Sequence, residues 1–293
     1  MARVPQAGLP ARGCRRTHLN LTDIAALIAC PLCRAPLGIG PDWIRCESCD
    51  ARYPIEDGVP RLAITGASES WGVSQAAEQS TAYQSEFEEL ASAADYNEQF
   101  RRKPLKLGVT GRERRLIRRF LKPLGRSTAI LEIPCGGGRL TPGFADLADL
   151  VIEADVAIGQ VAYGRAHSKV STPCVWMTAS AFHIPLRDRS VDGAVCVRLS
   201  QHLPTSAERE RLFGELLRVS RRFVIVTFFD RYSLKNLTYR LRHPFRGGPP
   251  KLTMTRAEVA ALARAGGAKV ARVAPLSRIG SGHRYALLLK SGA

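Results

Sequence analysis

A glycine-rich turn between two apolar segments is the feature that most restricts how this 293-residue chain can fold. The apolar run 130–133 leads into the turn at 135–138, and seventeen residues after Gly138 a second apolar run ends in Asp155. Glycines let a ligand approach the backbone, and an acid after the next parallel strand accepts hydrogen bonds from ribose hydroxyls. The pair therefore predicts a nucleotide-type cofactor site on a parallel sheet.

Strand and helix patterns alternate over most of the chain. Strands are predicted near 129–134, 149–155, 173–178, 192–197, 222–229, 268–274 and 284–290, and helices near 112–124, 139–147, 159–167, 206–219 and 255–265. Alternation at this spacing predicts an α/β fold, with a mostly parallel sheet covered by helices on both faces.

Three further segments, together with the glycine turn, share the pattern of one enzyme family. They are 184–186 followed by 190–195, His202-Leu203, and 215–219. In these segments the region from about 95 to 290 resembles a class I S-adenosylmethionine-dependent methyltransferase. The resemblance implies a Rossmann-like, seven-stranded sheet whose final strand is antiparallel, within a domain that we place at 95–293.

The resemblance also implies a cofactor site for S-adenosyl-L-methionine. Gly136 and Gly138 would line its methionine end with Glu132 near the amino group, Asp155 would hold the ribose, and Ser180 and Ala181 would meet the adenine. Two residues depart from the family pattern, because Pro134 replaces the first glycine and Ser180 stands where an aspartate is usual. His202 is a candidate general base, since the unperturbed pKa of histidine lies near neutrality. The alternative is that it packs behind the cofactor.

Four cysteines near the N-terminus have the spacing of a metal site. Cys30 and Cys33 form one C-x2-C pair, and Cys46 and Cys49 form a second pair twelve residues later. Two such pairs supply four thiolates at tetrahedral geometry and leave no open position, so we expect structural Zn²⁺. The alternative of disulfides or incidental cysteines is disfavoured for a protein expected to be cytoplasmic.

Residues flanking these cysteines resemble a second family. Segments 27–33 and 53–60 are similar to the small zinc-ribbon proteins that activate tRNA and other methyltransferases. The resemblance implies a partner-stabilising or substrate-presenting ribbon that is here fused to its enzyme. We therefore predict a disordered leader at 1–20, a zinc ribbon at 21–63 and a linker with a short helix at 64–94.

The net charge of +17 is concentrated in two parts of the chain. Residues 98–127 carry eleven basic and two acidic side chains, and residues 230–293 carry thirteen and two. Within the second part, 230–252 mixes basic and aromatic residues and is predicted to be an insertion over the active-site edge. Such clusters attract anions, although an ordinary solvated surface is the alternative.

No apolar run is long enough to span a bilayer, and the N-terminus lacks the apolar core of a secretory signal.

These patterns leave three hypotheses about function. The first is methyl transfer to an O or N nucleophile of an anionic or lipid-like small substrate. The second is an RNA methyltransferase, because bacterial rRNA guanine methyltransferases also join a zinc ribbon to this fold; their second metal pair usually ends in histidine, unlike Cys46 and Cys49. The third is a non-catalytic binding or scaffold protein with a degenerate cofactor site.

Overall fold

The computed structural model describes residues 21–64, 89–239, 252–277 and 281–291. The predicted leader at 1–20 lies outside the described residues, as do 65–88 of the predicted linker and 240–251 of the predicted insertion.

A small antiparallel sheet forms the N-terminal part. Its strands, in spatial order, are β1 (Leu37–Ile39), β2 (Trp43–Cys46), β3 (Arg52–Glu56) and β4 (Val59–Pro60). Ile44 and Cys46 alternate with exposed neighbours along β2 and are buried, so one face of this sheet points inward. Residues 21–63, which contain this sheet and the four predicted metal ligands, are called the ribbon below.

The ribbon and the rest of the chain share one core. Ile28 of the ribbon pairs with Leu186, and the Ala29 amide donates to the Pro185 carbonyl at 3.1 Å. At the other end of the ribbon, the Leu62 amide donates to the Thr178 carbonyl at 3.2 Å. A single hydrophobic cluster contains side chains from both parts, including Ile24, Ile28, Ile44, Leu62, Leu131, Ile152, Met177 and Leu186. The ribbon is therefore an integral part of the folded unit.

The main domain is built on a seven-stranded sheet. Its strands are β5 (Ser127–Glu132), β6 (Ala148–Asp155), β7 (Cys174–Thr178), β8 (Val191–Cys196), β9 (Ser220–Phe229), β10 (Ala268–Pro275) and β11 (His283–Lys290). The spatial order is β10-β11-β9-β8-β5-β6-β7, and the strands from β9 to β7 run parallel. β11 is antiparallel to β9 and to β10. The predicted fold class and the antiparallel final strand are confirmed.

Five helices that lie wholly within the described residues pack around this sheet. They are α1 (Leu90–Arg102), α2 (Pro104–Leu121), α3 (Ile158–His167), α4 (Ser206–Val219) and α5 (Arg256–Ala265). The apolar face of α2 buries Ile117, Phe120 and Leu121 on one side of the sheet, in the cluster that also holds Ile130 and Val151. Leu212, Leu216 and Val259 from α4 and α5 belong to the cluster on the opposite side. No helix within the described ranges is both long and apolar enough to cross a membrane.

The prediction of a helix near 139–147 is wrong. This segment instead forms short 3₁₀ turns at Gly136–Gly138, Thr141–Gly143 and Ala145–Leu147. Pro142 has no amide hydrogen to continue a helix, and the backbone at Gly143 approaches α2 too closely for a side chain: a Cβ there would lie 2.9 Å from the Arg114 Cα. Close contact with α2 therefore overrides the helical pattern.

Candidate functional site

The glycine turn lies at the carboxyl end of β5, where the sequence placed it. Gly136, Gly137 and Gly138 all have positive φ, at 49°, 74° and 68°. A Cβ added at Gly136 would meet open space, whereas one at Gly137 would lie 2.7 Å from the side-chain amide of Asn97 in α1. The turn therefore needs glycine for its backbone conformation, and it is open at Gly136 and covered by α1 at Gly137.

Asp155 ends β6 directly beside this turn. Its carboxylate accepts hydrogen bonds from the amides of Gly136 at 2.9 Å and Ala157 at 3.2 Å, and the side chain is fully buried. Burial raises the pKa of Asp155 to about 6, although the bonds from the Gly136, Ala157 and Val156 amides act in the opposite direction. The carboxylate is thus fixed against the glycine turn and is charged at neutral pH.

A pair of acidic residues lies on the same side of the sheet as Asp155. Glu132 and Glu153 are neighbours in the register of β5 and β6, and the Thr141 hydroxyl lies 2.9 Å from one carboxyl and 2.6 Å from the other. Burial, and then the charge of Glu153, raise the pKa of Glu132 well above its usual range, while burial raises the pKa of Glu153 to about 8. Among the described residues, Glu132 Oε1 and Glu153 Oε2 have no hydrogen-bond partner. With both pKa values raised, the pair retains protons at neutral pH.

The predicted adenine loop follows β7. Ala181 is buried, and the Ser180 hydroxyl accepts a hydrogen bond from the Phe182 amide at 3.3 Å. The Ala179 amide donates to the Asp155 carbonyl at 2.8 Å, which brings this loop next to the acid. The loop is therefore adjacent to Asp155, and its role toward adenine stays a prediction.

A buried charged cluster lies on the α2 side of the same sheet edge. Glu113 of α2 is completely buried and accepts hydrogen bonds from Arg139 at 2.5 Å, Arg198 at 2.9 Å and the Tyr285 hydroxyl at 3.0 Å. Burial alone would raise the pKa of Glu113, but the two guanidinium groups hold it below its usual value. Two positive charges facing one negative charge leave this cluster, named the Glu113 cluster below, with a net charge of about +1.

Helix α1 packs against both the glycine turn and the Glu113 cluster. Its Asn97 side chain lies against Gly137 of the turn. Arg139 of the cluster lies over the ring of Phe100 in the same helix, 4.7 Å from its centroid. Burial raises the pKa of Tyr96, which also belongs to this helix.

Two histidines lie at the sheet edge, one after β8 and one at the start of β11. His202, the predicted base, is exposed on the 3₁₀ turn Ser200–His202 after β8, and partial burial of its ring together with Arg198 lowers its pKa. His283 begins β11 and is buried, and its Nε2 has no hydrogen-bond partner within the described part of the chain. Burial, then the charge of Arg198, lowers the pKa of His283 to about 4, so its ring is neutral at physiological pH.

The four ribbon cysteines converge on one point. The Sγ atoms of Cys30 and Cys49 lie 3.7 Å apart, those of Cys33 and Cys46 lie 3.3 Å apart, and all four are within 4.8 Å of one another. Four thiolates on a zinc ion, with Zn–S bonds of about 2.3 Å, would be separated by roughly 3.8 Å. The Ser48 and Cys49 amides also approach Cys46 Sγ at 3.4 Å, as in a metal-binding knuckle. The donor set therefore fits zinc.

The sheet order and the site at the carboxyl ends of β5 and β6 define the class of this protein. Residues 131–226 match the family model described as a methyltransferase domain. The chain therefore carries a methyltransferase domain, and its fold is that of the class I S-adenosylmethionine-dependent methyltransferases. The prediction of an enzyme of this class is confirmed.

Solved structures support the fold at low sequence identity. Magnesium protoporphyrin IX methyltransferase from Synechocystis PCC 6803 with bound S-adenosylhomocysteine is 15% identical, with a TM-score of 0.58, over 72% of this chain and 99% of that chain. The same enzyme with bound S-adenosylmethionine is 16% identical, with a TM-score of 0.53, over 72% and 97%.

A third similar structure belongs to a complex from Haloferax volcanii. The complex joins the Trm112 methyltransferase activator to a methyltransferase; the match has 13% identity and a TM-score of 0.53 over 72% of this chain and 98% of that chain. At such identities these likenesses establish the fold alone. A comparison with curated protein sequences gave no match.

The sequence analysis did not identify the Glu113 cluster. Its members come from α2, the glycine turn, the end of β8 and β11, so only the tertiary fold brings them together. One signal was available: Glu113 lies four residues before Ile117 and seven before Phe120, on the apolar face of an arginine-rich helix. An acid on a buried face requires partners of opposite charge.

Proposed function

We propose that this protein transfers a methyl group from S-adenosyl-L-methionine to an O or N nucleophile of a small anionic or lipid-like substrate. The observation that carries the proposal is the buried Asp155 carboxylate beside the glycine turn, together with the Glu113 cluster, which includes Arg139, the residue that follows the turn. The turn with Asp155, the first end of the proposed site, suits a nucleoside, and the Glu113 cluster, the second end, suits an anion.

The residues at the first end fit the cofactor. Asp155 would present a carboxylate, ionised at neutral pH, to ribose hydroxyls, and Gly136 leaves room beside it. Glu132 would accept from the cofactor's ammonium group, whose positive charge would favour the ionised form of this carboxyl. Ser180 and Ala181 would border the adenine.

The second end would select the acceptor. Arg139 and Arg198 each have guanidinium hydrogens beyond those given to Glu113, and a guanidinium binds carboxylate or phosphate through paired hydrogen bonds. An acceptor anchored by the arginines would thus be held toward the cofactor.

Alignment is the main task of these residues. The bound cofactor supplies a methyl group on a positively charged sulfur, which is already a good leaving group. Holding the acceptor in line with that methyl contributes roughly 7–11 kcal/mol to lowering the barrier. Helix α1, which packs on the glycine turn, would exclude water. His202 is the candidate to accept a proton from the acceptor, and the buried, neutral His283 is a second candidate.

We propose structural Zn²⁺ in the ribbon, on Cys30, Cys33, Cys46 and Cys49. A four-thiolate site has no open position, so the metal would take no part in methyl transfer. The ribbon reaches the catalytic domain at Thr178, two residues before Ser180. It would therefore stabilise the adenine side of the site, as the fused counterpart of the activator proteins that it resembles.

Calorimetry with S-adenosylhomocysteine tests the proposal. We expect wild type to bind and Asp155→Asn to bind at least about tenfold more weakly, because the amide cannot accept two charge-assisted hydrogen bonds from the ribose. Asp149→Asn is the matched control, since Asp149 belongs to the same strand but pairs with Arg126 at the opposite edge of the sheet. Absence of binding by wild type would favour a non-catalytic scaffold.

The same titration is expected to depend on pH. The raised pKa of Asp155, about 6, means that the carboxylate is ionised above pH 6 and becomes protonated as the pH falls. If the ribose requires the ionised form, the affinity for the ligand falls as the pH drops below the pKa of Asp155. The slope approaches a limit of about tenfold per pH unit. Asp155→Asn should lack this component, whereas titration of the Glu132–Glu153 pair would affect both proteins. Equal pH profiles in the two proteins would contradict the role of Asp155.

A further inference from the structure

We propose that the carboxyl edge of the sheet is a docking surface for a membrane that contains anionic lipids. The surface consists of the start of α2, residues 103–107, and the segment 231–239 that follows β9. The inference goes beyond the methyltransferase activity, because docking would not need a bound cofactor.

Helix α2 projects past the edge of the sheet. Its C-terminal end leads into the start of β5, and Glu113 contacts Arg198, two residues beyond the end of β8. Glu113 therefore marks the level of the carboxyl edge. Leu105 is eight residues closer to the N-terminus, which at 1.5 Å per residue places it about 12 Å beyond Glu113. At that position Leu105 is 87% exposed and Leu107 is 53% exposed.

The segment 231–239 lies at the same edge and is inverted relative to an ordinary surface helix. The buried side chains are the polar ones, Ser233 and Asn236, and Asn236 Nδ2 donates to the Asp230 carbonyl at 2.8 Å. Tyr232 is 72% exposed and Leu234 is 77% exposed, beside the exposed Arg231 and Lys235. This arrangement directs apolar and basic side chains outward and anchors the segment from behind with hydrogen bonds.

Exposed apolar side chains are concentrated in these two segments. Eight large hydrophobic side chains are exposed in the described structure, and five of them are Leu105, Leu107, Tyr232, Leu234 and Leu237. Two of the other three, Leu32 and Trp43, lie on the ribbon. Clustered exposed apolar residues indicate an interaction surface, whereas isolated ones do not.

Charge complementarity identifies the partner. Residues 98–107 contain four basic side chains and one acid, and residues 231–239 contain two basic side chains and none that are acidic. Leucines flanked by lysines and arginines match an interface of acyl chains beneath anionic headgroups. RNA would use the same charges but would gain little from aliphatic side chains, since it stacks on aromatic ones. The leucines therefore favour a membrane over RNA.

Sedimentation with vesicles tests the proposal on the full chain. We expect binding to vesicles of phosphatidylcholine mixed with phosphatidylglycerol, weaker binding at high salt, and little binding to phosphatidylcholine alone. Replacing Leu105 and Leu234 by glutamine should reduce the partition coefficient about tenfold for each leucine that enters the bilayer. Leu32→Gln, which removes an exposed leucine from the ribbon, should bind as wild type does.

Several results would overturn this inference. The inference fails if wild type stays in the supernatant when it is mixed with anionic vesicles. It also fails if the Leu105→Gln/Leu234→Gln variant sediments with these vesicles as wild type does. Binding to total RNA without vesicle binding would assign the charges to RNA. A concentration-dependent dimer that the double variant abolishes would assign the leucines to contact between two copies. The variant's binding of S-adenosylhomocysteine, which should equal that of wild type, separates these outcomes from failure of the proposed function.

Discussion

Replacing Cys30 and Cys49 together by serine is expected to remove zinc and to destabilise the whole folded unit, not the ribbon alone. A structural four-thiolate site contributes an apparent binding free energy of roughly 10–16 kcal/mol. The decrease in the free energy of unfolding should not exceed this value. The effect should spread because Ile28 and Leu62 of the ribbon belong to the same hydrophobic cluster as Leu131 and Met177 of the catalytic domain. Without the ribbon, part of that cluster would face water.

Metal analysis and thermal unfolding check this expectation. Wild type should carry one zinc per chain, the double variant none, and a strong chelator should lower the unfolding temperature of wild type toward that of the variant. Cys174→Ser is the matched control, since Cys174 is a core residue whose thiol donates to the Thr172 carbonyl, a bond that serine can replace. Full stability in the zinc-free variant would show that the ribbon does not support the domain.

Glu113→Gln is expected to be the most damaging single change in the catalytic domain. The carboxylate is completely buried and neutralises Arg139 and Arg198, which are themselves largely or partly buried. Removing one partner of a buried ion pair leaves an uncompensated charge, which lowers the free energy of unfolding by about 3–5 kcal/mol. Asp146→Asn, which removes an exposed pair with Arg118, should lower it by no more than about 1 kcal/mol.

Chemical denaturation of both variants provides the measurement, and its pH dependence is a further check. The pKa of Glu113 lies below its usual value in the folded protein, so the stability from this group is present above the unfolded pKa and is lost as the pH falls through the folded one. Glu113→Gln should lose that dependence. If Glu113→Gln proves as stable as Asp146→Asn, the two arginines do not need Glu113 to balance their charge.

The arrangement of strands was predictable because local pattern and long-range packing agree. The apolar runs of β5, β6 and β8 fall within about two residues of their predicted positions, since strands buried on both faces leave continuous apolar runs. The convergence of the four ribbon cysteines was predictable for a similar reason, because they lie in two short motifs. The segment 139–147 was not, because its conformation depends on the close approach of Gly143 to α2.

The proposed cofactor end of the site was more predictable than the proposed acceptor end. Glu132, Gly136 and Asp155 belong to one β-turn-β unit, so their spacing along the chain determines their proximity in space. Glu113 and Tyr285 are separated by 172 residues, and no local pattern links them. The Glu113 cluster depends on how α2 and β11 pack, which the sequence alone does not specify.

A crystal structure of the chain with bound S-adenosylhomocysteine tests the central claim most directly. The account predicts electron density for the nucleoside beside Gly136, with the ribose hydroxyls within hydrogen-bond distance of both Asp155 carboxylate oxygens and the adenine next to Ser180 and Ala181. It would be contradicted by a ligand bound elsewhere, or by an Asp155 carboxylate that keeps its bonds to the Gly136 and Ala157 amides and makes none to the ribose.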